Sequence, residues 1–452
     1  MADTEKLTFD ELITHWAQEK PDQVALEQDG AALTFAELED RSRRIVAMLA
    51  AHGVGKGDRI AWLGKNARHY FELFYSAARI GVVMVPIGWR LAAPEIAYIL
   101  GDTGAKLVFI DEGFGELAAK ACGELDTPPE IIDTPTAQRE IAAAPADTFD
   151  GAGANDPVLQ LYTSGTTGQP KGVLLSQGNL AHFTAWCGSC MNLNEHARVL
   201  QFSPLSFDSS LIDIVPALIA GAELIIPNEA QRRDPEQLLA LLRRRCVTHA
   251  FLPPALLSIL PLDQPLGLTQ LLTGGEVCEP HVIERLAGQC QFHNLYGPSE
   301  ATVLVTHRTF TPGDSNRNIG RPIANSQVLI LDEHLQPVDE QVMGELYLVG
   351  PGVSLGYLNA QVQTASAFVD LPLPGGQSLR AYRSGDLAQW SADGILLGGR
   401  RDDQVKIRGF RVEPREVEEC LRNSRLYRQV AVAIDRDESG FPTHGVHSVS
   451  DA

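Results

Sequence analysis

Between Thr34 and Gly53 apolar side chains recur at helical spacing, with Leu38, Ile45, Leu49 and Ala50 on one face. Thr34 and Glu37 have the spacing of a capping box, so the pattern predicts a helix over 34–53 that Gly53 stops. Gly55-Lys56-Gly57-Asp58 then turns into the short apolar run 59–63, which reads as a strand. A helix near 67–80 ends before Gly81, and a strand follows over 82–86. Pro94-Glu95-Ile96 opens a further helix, and 106–110 is the next strand. Helices alternating with short β-branched runs predict an α/β protein with a largely parallel sheet.

Residues 137–156 are rich in Ala, Pro, Gly and Asp and read as a surface segment. Alternation resumes with a buried strand over 157–162, strands over 222–226, 248–252 and 268–273, and a helix over 234–245. Beyond 320 the rhythm changes. The strands 327–331 and 345–349 are joined by short turn-rich links, which predicts a smaller antiparallel, barrel-like β subdomain over about 320–401. Residues 394–401 and 404–412 read as a strand, a charged turn and a strand, Pro414 starts a helix, and 429–434 is a last strand. After Asp435 no period is visible, and that stretch reads as disordered or poorly packed. The expected organisation is a core over 1–401, built from two mainly parallel α/β sheet subdomains plus the β subdomain, and a partial α+β unit over 402–452.

With 452 residues, two or three domains or subdomains are expected. The formal charge of -20 argues against a nucleic-acid or anionic membrane surface. No run approaches the roughly 18–20 apolar residues of a membrane span, and the acidic, polar start lacks the apolar stretch of a signal peptide, so a cytoplasmic protein is expected. Seven scattered cysteines include one close pair, Cys187 and Cys190, read as plain thiols.

The stretch Thr163-Ser164-Gly165-Thr166-Thr167-Gly168-Gln169-Pro170-Lys171-Gly172 follows a strand. Its glycines expose backbone N–H groups, its hydroxyls add donors, and Lys171 adds a point charge, a combination suited to wrapping a polyphosphate. Walker A spacing is absent. Further along come Asn294-Leu295-Tyr296-Gly297-Pro298-Ser299-Glu300, Gly344-Glu345-Leu346-Tyr347, Gly356-Tyr357-Leu358-Asn359, Tyr382-Arg383-Ser384-Gly385-Asp386 and the run GRRDDQVKIRGFRVEPREVE at 399–418. In this order the motifs resemble those of the adenylate-forming superfamily, which includes acyl-CoA synthetases, luciferases and the adenylation domains of nonribosomal peptide synthetases.

That resemblance implies attack of a carboxylate on the α-phosphorus of ATP, with ATP and Mg²⁺ as cofactors. It assigns Thr163, Ser164, Gly165, Thr166, Thr167, Gly168 and Lys171 to the phosphates, with Lys171, Thr166, Ser299 and Glu300 catalytic and Glu300 on the metal. Ser299 stands where the family usually has threonine and keeps the hydroxyl. Asn294, Tyr296 and Gly297 would lie along the nucleotide, with the Tyr296 ring against adenine, and Asp386 and Arg400 would meet the ribose. The acyl pocket carried over from the family is Asp208, Ser209, Ile212, Phe251, Leu272, Gly274, Leu295, Val303 and Leu304. Asp208 sits in an F-D-x-S pattern like the one that holds an α-amino group, although an aspartate there also suits a helix N-cap. The remaining lining is apolar and leaves a polar side chain unpaired, so a small aliphatic amino acid is expected, proline first, then leucine, isoleucine or valine.

The adenylate would pass to the phosphopantetheine thiol of a peptidyl carrier protein, with Asp402 as the hinge and the region around Gly409 approaching the thiol. Family members carry a near-terminal lysine; here 50 residues follow Asp402 and Lys406 is the only lysine among them. A shortened C-terminal subdomain and weak adenylation are therefore expected. The alternatives are an acyl-CoA or other carboxylic acid ligase, favoured by the N-terminal third, and a weakened nucleotide-binding paralogue.

Overall fold

The computed structural model describes residues 8–164, 169–262, 264–372, 378–402, 404–407, 410–423, 431–436 and 442–449. The α/β alternation is present as expected. The helix Phe35–Ala51 begins at Thr34, whose hydroxyl accepts from the Glu37 N–H while the Glu37 side chain answers the Thr34 N–H. Its Leu38, Ile45 and Leu49 are buried. The strands Arg59–Leu63, Val83–Ile87 and Leu107–Ile110 alternate with the helices Arg68–Arg79 and Ala93–Thr103.

These strands build a six-stranded sheet in the order Glu130–Asp133, Leu107–Ile110, Arg59–Leu63, Val83–Ile87, Pro157–Thr163, Lys171–Ser176. It is parallel up to its last pair, which is an antiparallel hairpin. Val83–Ile87 is buried along its whole length, as a strand covered on both faces must be.

A second, 14-stranded sheet runs from Ala31–Thr34 to Gln327–Leu331. Val24–Gln28, Glu223–Ile226, Arg198–Leu200, His249–Phe251, Gln270–Gly274 and Gln291–Tyr296 pair in parallel. From Gln291–Tyr296 onward the pairing is antiparallel through Thr306–Thr309, Asn318–Pro322, Gly394–Arg400, Ser378–Ser391, Gly344–Val349 and Gln327–Leu331. The β-rich part beyond 320 thus continues the large sheet rather than closing a barrel. Among the described residues the ladder keeps two open ends.

Three local expectations need correction, and one helix is new. The first part of the segment 137–156 belongs to a helix, Thr134–Ala143, which Asp133 caps and which buries Ala137 and Ile141. Two buried positions four apart were masked by the surrounding alanines. Residues 404–412 form a hairpin, Val405–Ile407 with Phe410–Val412, rather than one strand. The stretch after Asp435 is not wholly irregular, because Pro442–Val449 pairs with Ala431–Arg436. A helix at Phe9–Glu19, with a Thr8–Glu11 capping box, was not predicted at all.

Alternation along the large sheet also builds a histidine layer. His293 is buried and lies across from Leu272 on one side and Thr309 on the other. Its ring nitrogens meet Gln270 Oε1 at 2.8 Å and His307 Nε2 at 3.2 Å. His249 is buried too and meets the Met191 carbonyl at 2.8 Å. Loss of solvent lowers the pKa of all three rings, and His293, beside His307, is held down to about 4.

The unfolded chain takes protons on these rings near the ordinary value of 6.5, whereas folded His293 refuses one until about 4. Stability from this layer is therefore complete above about pH 6.5 and is lost as pH falls towards 4. His52, raised mainly by Glu140, acts in the opposite direction. The urea unfolding midpoint is expected to be lower at about pH 5 than at about pH 7.5, and His293→Gln should remove part of that difference. An unchanged midpoint would contradict the neutral, buried layer.

Candidate active site

The hairpin Pro157–Thr163 and Lys171–Ser176 carries the glycine-rich stretch at its tip, with Thr163 opposite Lys171. Gly165, Thr166, Thr167 and Gly168, assigned to phosphate from the sequence, lie outside the described residues, as does Gly409. At the entrance to the tip, Thr163 Oγ1 and Ser164 Oγ are buried and have no hydrogen-bond partner among the described residues. Gly172 allows the hairpin to close over its own neighbours, because a Cβ there would stand 2.4 Å from Gln160 Nε2.

A second piece of backbone stitches this hairpin to the large sheet. Leu355 N donates to the Leu174 carbonyl, Leu174 N to that of Gly356, and Leu358 N to that of Gly172, at 3.0, 3.1 and 2.8 Å. Tyr357 is thereby fixed between the two sheets. Its hydroxyl donates to Glu300 Oε1 at 2.7 Å, and the Lys171 ammonium lies 4.9 Å from its ring centroid. Sequence reasoning missed the role of Tyr357; an aromatic inside the Gly356-Tyr357-Leu358-Asn359 motif was the available signal.

Glu300 is fully buried on a single 3₁₀ turn, Ser299–Ala301. The chain leaves that turn through Thr302 (φ 54°) and Val303 (φ 72°), a left-handed region that β-branched residues avoid. Leu304 N bonds back to the Thr302 carbonyl at 2.8 Å, closing a tight turn around Val303. Thr302 Oγ1 anchors the turn by donating to the Gly352 carbonyl at 2.5 Å. Gly297 makes room for it, since a Cβ there would lie 2.6 Å from the Val303 carbonyl oxygen and 2.6 Å from Leu304 Cα.

Tyr296 ends the strand Gln291–Tyr296 and donates its hydroxyl to Asp386 Oδ2. Loss of solvent and then the Asp386 charge push that phenol well above its ordinary pKa, so it stays a donor. Asp386 Oδ1 accepts from Arg400 at 2.6 Å, directly across the strand pair. The same guanidinium grips both oxygens of Asp402, at 2.6 and 2.9 Å. Arg400 therefore joins the predicted ribose acceptor to the predicted hinge residue. Asn294 is buried and donates to the Asn318 carbonyl at 3.1 Å.

On the acyl side, Ser299 Oγ donates to Asp208 Oδ2 at 2.5 Å. The neighbouring helix Ser210–Ala220 has Ser209 at its cap without a side-chain bond, so Asp208 is not its N-cap. Phe251 lies across from Leu272, and Gly274 across from Leu295, on one face of the large sheet. Phe251, Leu272, Leu295, Ile212, Val303 and Leu304 are all buried apolar groups. A Cβ at Gly274 would meet the Leu295 carbonyl oxygen at 2.3 Å.

Sequence reasoning missed Asp213. It is fully buried, accepts from the N–H of Phe202 at 3.1 Å and of Ser203 at 3.4 Å, and is pushed well above its ordinary pKa by burial. An acid inside the apolar run SLIDIVPALIA was the signal. The thiols of Cys187 and Cys190 are free; Cys187 is buried as expected, whereas Cys190 is exposed.

The structure thus brings Lys171, Glu300 and Ser299 into one connected group with Asp208, and joins Tyr296, Asp386, Arg400 and Asp402 into another. Hydroxyls without a partner among the described residues, a cation and a buried carboxyl are suited to phosphate oxygens and a hard cation. A carboxylate beside an aromatic ring is suited to a ribose diol and a flat base.

The AMP-binding enzyme family profile matches residues 13–358. Bacitracin synthase 3 of Bacillus licheniformis is 34% identical over 97% of this chain, which spans 7% of that protein's length. Novobiocin biosynthesis protein H of Streptomyces niveus is 35% identical over 97% of this chain and 74% of its own. Among solved structures, the Vibrio cholerae adenylation domain AlmE in complex with glycyl-adenosine-5'-phosphate has a TM-score of 0.83 at 25% identity, covering 97% of this chain and 88% of that one.

The turn around Val303 makes a direct test of the geometry available. Gly297→Ala is expected to destabilise the chain by about 2 kcal/mol or more, because backbone atoms on both sides must move. Urea unfolding checks this, and a change below about 0.5 kcal/mol would contradict the close approach.

Proposed function

The chain belongs to the AMP-binding enzyme family, AMP-forming ligases that include adenylation domains of nonribosomal peptide synthetases, and from that premise we propose that it activates a small aliphatic amino acid, proline first, for a carrier protein. A carboxylate oxygen of the amino acid bonds to the α-phosphorus of ATP, the bond to the bridging oxygen breaks, and pyrophosphate leaves with the electron pair. A phosphopantetheine thiolate of a peptidyl carrier protein then attacks the acyl carbon and expels AMP.

The observation that carries this reading is the 2.5 Å contact between Ser299 Oγ and Asp208 Oδ2. It joins the motif assigned to nucleotide with an acid at the edge of an apolar wall. In the proposed role Asp208 holds the α-ammonium nitrogen, a secondary ammonium in proline, and Phe251, Leu272, Leu295 and Val303 exclude water from the side chain. Such walls reward aliphatic groups and penalise polar ones.

Thr163, Ser164 and Lys171, together with Gly165, Thr166, Thr167 and Gly168, take the phosphates in this reading. Tyr296 lies against adenine with Asn294 and Gly297 beside it, and Asp386 and Arg400 take the ribose. Glu300 would hold Mg²⁺, whose charge would offset that on the phosphoryl oxygens. Ile212, Gly274, Leu304 and Ser209 complete the acyl pocket, and Asp402 is the hinge for carrier-protein transfer. The relatives support an amino acid and a carrier partner through their own class, peptide synthetases.

Hydroxylamine-trapped adenylation across the proteinogenic amino acids is the test. The highest yield is expected with proline or a small aliphatic residue, and Asp208→Ala should lower it by about 100-fold, the loss expected when a buried charge loses its partner. Preferential trapping of fatty or aryl acids, indifferent to Asp208→Ala, would establish the carboxylic acid ligase instead. ATP binding without any hydroxamate would point to a nucleotide-binding relative without turnover.

A further inference from the structure

Outside the site, Asp102 is the point where three separate pieces of chain are tied together. It lies half-buried in the last turn of the helix Ala93–Thr103, which Gly104 ends in the left-handed conformation. Oδ2 accepts from the Tyr162 hydroxyl at 2.6 Å. Oδ1 accepts from Asn359 Nδ2 at 3.0 Å, and the Asp102 main-chain carbonyl accepts from the same nitrogen at 2.9 Å. One carboxylate and its own carbonyl thus hold the strand entering the glycine-rich tip and the segment carrying Tyr357.

Each tie is buttressed. Tyr162 also accepts from Gln160 Nε2 at 3.1 Å, and Gln160 Oε1 accepts from Arg59 at 2.9 Å. Loss of solvent and then the Asp102 bond push the Tyr162 phenol well above its ordinary pKa, so it remains the donor. Gly172 leaves the space that Gln160 and Tyr162 fill. Asn359 adopts φ 49°, a conformation asparagine tolerates better than most residues. Its neighbour Tyr357 reaches Glu300.

We propose that Asp102 is a positioning residue for nucleotide binding: through Tyr162 it sets the direction of the Thr163–Ser164 strand end, and through Asn359 it sets the distance between that end and the Tyr357–Glu300 pair. The proposal deepens the nucleotide-binding reading given above and rests on it. Charge-assisted hydrogen bonds of this kind hold geometry more strongly than neutral ones. Groups that must converge on one polyphosphate lose affinity when the frame between them loosens.

The test is calorimetric titration of the full chain with MgATP, alongside KM values from hydroxylamine trapping. Asp102→Ala is expected to weaken MgATP binding roughly tenfold, with KM for ATP rising by a similar factor and KM for the amino acid within about twofold of its starting value. Tyr162→Phe, which keeps the ring and its packing, should do much of the same. Tyr162→Phe added to Asp102→Ala should change little further, because the Tyr162–Asp102 bond is already gone. Asp102→Asn keeps one acceptor oxygen but sets a donating NH2 where the second one was, so it should bind MgATP with an affinity between those of Asp102→Ala and the unsubstituted chain.

Unchanged MgATP affinity in both Asp102→Ala and Tyr162→Phe would overturn the proposal. So would equal rises in both KM values, effects that simply multiply in the double variant, or an unchanged MgATP affinity in Asp102→Asn. If Asp102→Ala does not fold, Tyr162→Phe and Asp102→Asn carry the same comparison. Binding of MgATP without trapped product would refute the proposed reaction yet leave the affinity comparison decisive for Asp102. Absence of MgATP binding by the unsubstituted chain would refute both.

Discussion

A carboxyl group removed wholly from water is the constraint around which the junction of the two sheets is organised. Glu300 is fully buried, and taking such a group out of solvent costs several kcal/mol unless polar partners meet it. The Tyr357 hydroxyl is one such partner, and Tyr357 can reach it only because residues 355–358 are bonded to the far hairpin. The turn that presents Glu300 is held in a strained conformation by Thr302 and by the space at Gly297. Burial, strain and the stitch between sheets are therefore one arrangement, and loosening any part exposes the others.

The second group of polar residues is wetter and weaker. Arg400 shares its guanidinium between Asp386 and Asp402, and Asp402 remains substantially exposed, so these ion pairs individually contribute about 1 kcal/mol or less. Such contacts suit a place where one partner must be released. The Tyr296–Asp386 bond, half-buried, gives the aromatic ring a fixed orientation at the end of its strand. A firm junction next to a yielding one fits the proposed sequence, in which phosphate would stay in register while the acyl product would be handed on.

Much of this was legible along the chain because it depends on local pattern. The period of Leu38, Ile45 and Leu49, the Thr34–Glu37 cap and the apolar run at 83–87 announced their elements with little help from tertiary contacts. The motif order singled out Asp208, Ser299, Glu300, Tyr296, Asp386 and Arg400, which the fold gathers into two connected groups. The first turn of residues 8–19 and the helix Thr134–Ala143 were hidden because their buried faces are only two or three residues wide. The β-rich part looked like a separate barrel because antiparallel strands read alike whether they close on themselves or extend another sheet. Tyr357, Asp213 and Asp102 escaped notice for a different reason. Their partners lie 57, 11 and 60 residues away, so a local pattern could single out Tyr357 or Asp213 but could not name what each would meet.

The most direct test of the account is a crystal structure of the chain bound to a non-hydrolysable prolyl-adenylate analogue. The account predicts the ribose hydroxyls on Asp386, the base against the Tyr296 ring, and the prolyl nitrogen within hydrogen-bond reach of the Asp208 carboxylate. An analogue seated away from Tyr296, or with its nitrogen turned away from Asp208, would contradict it.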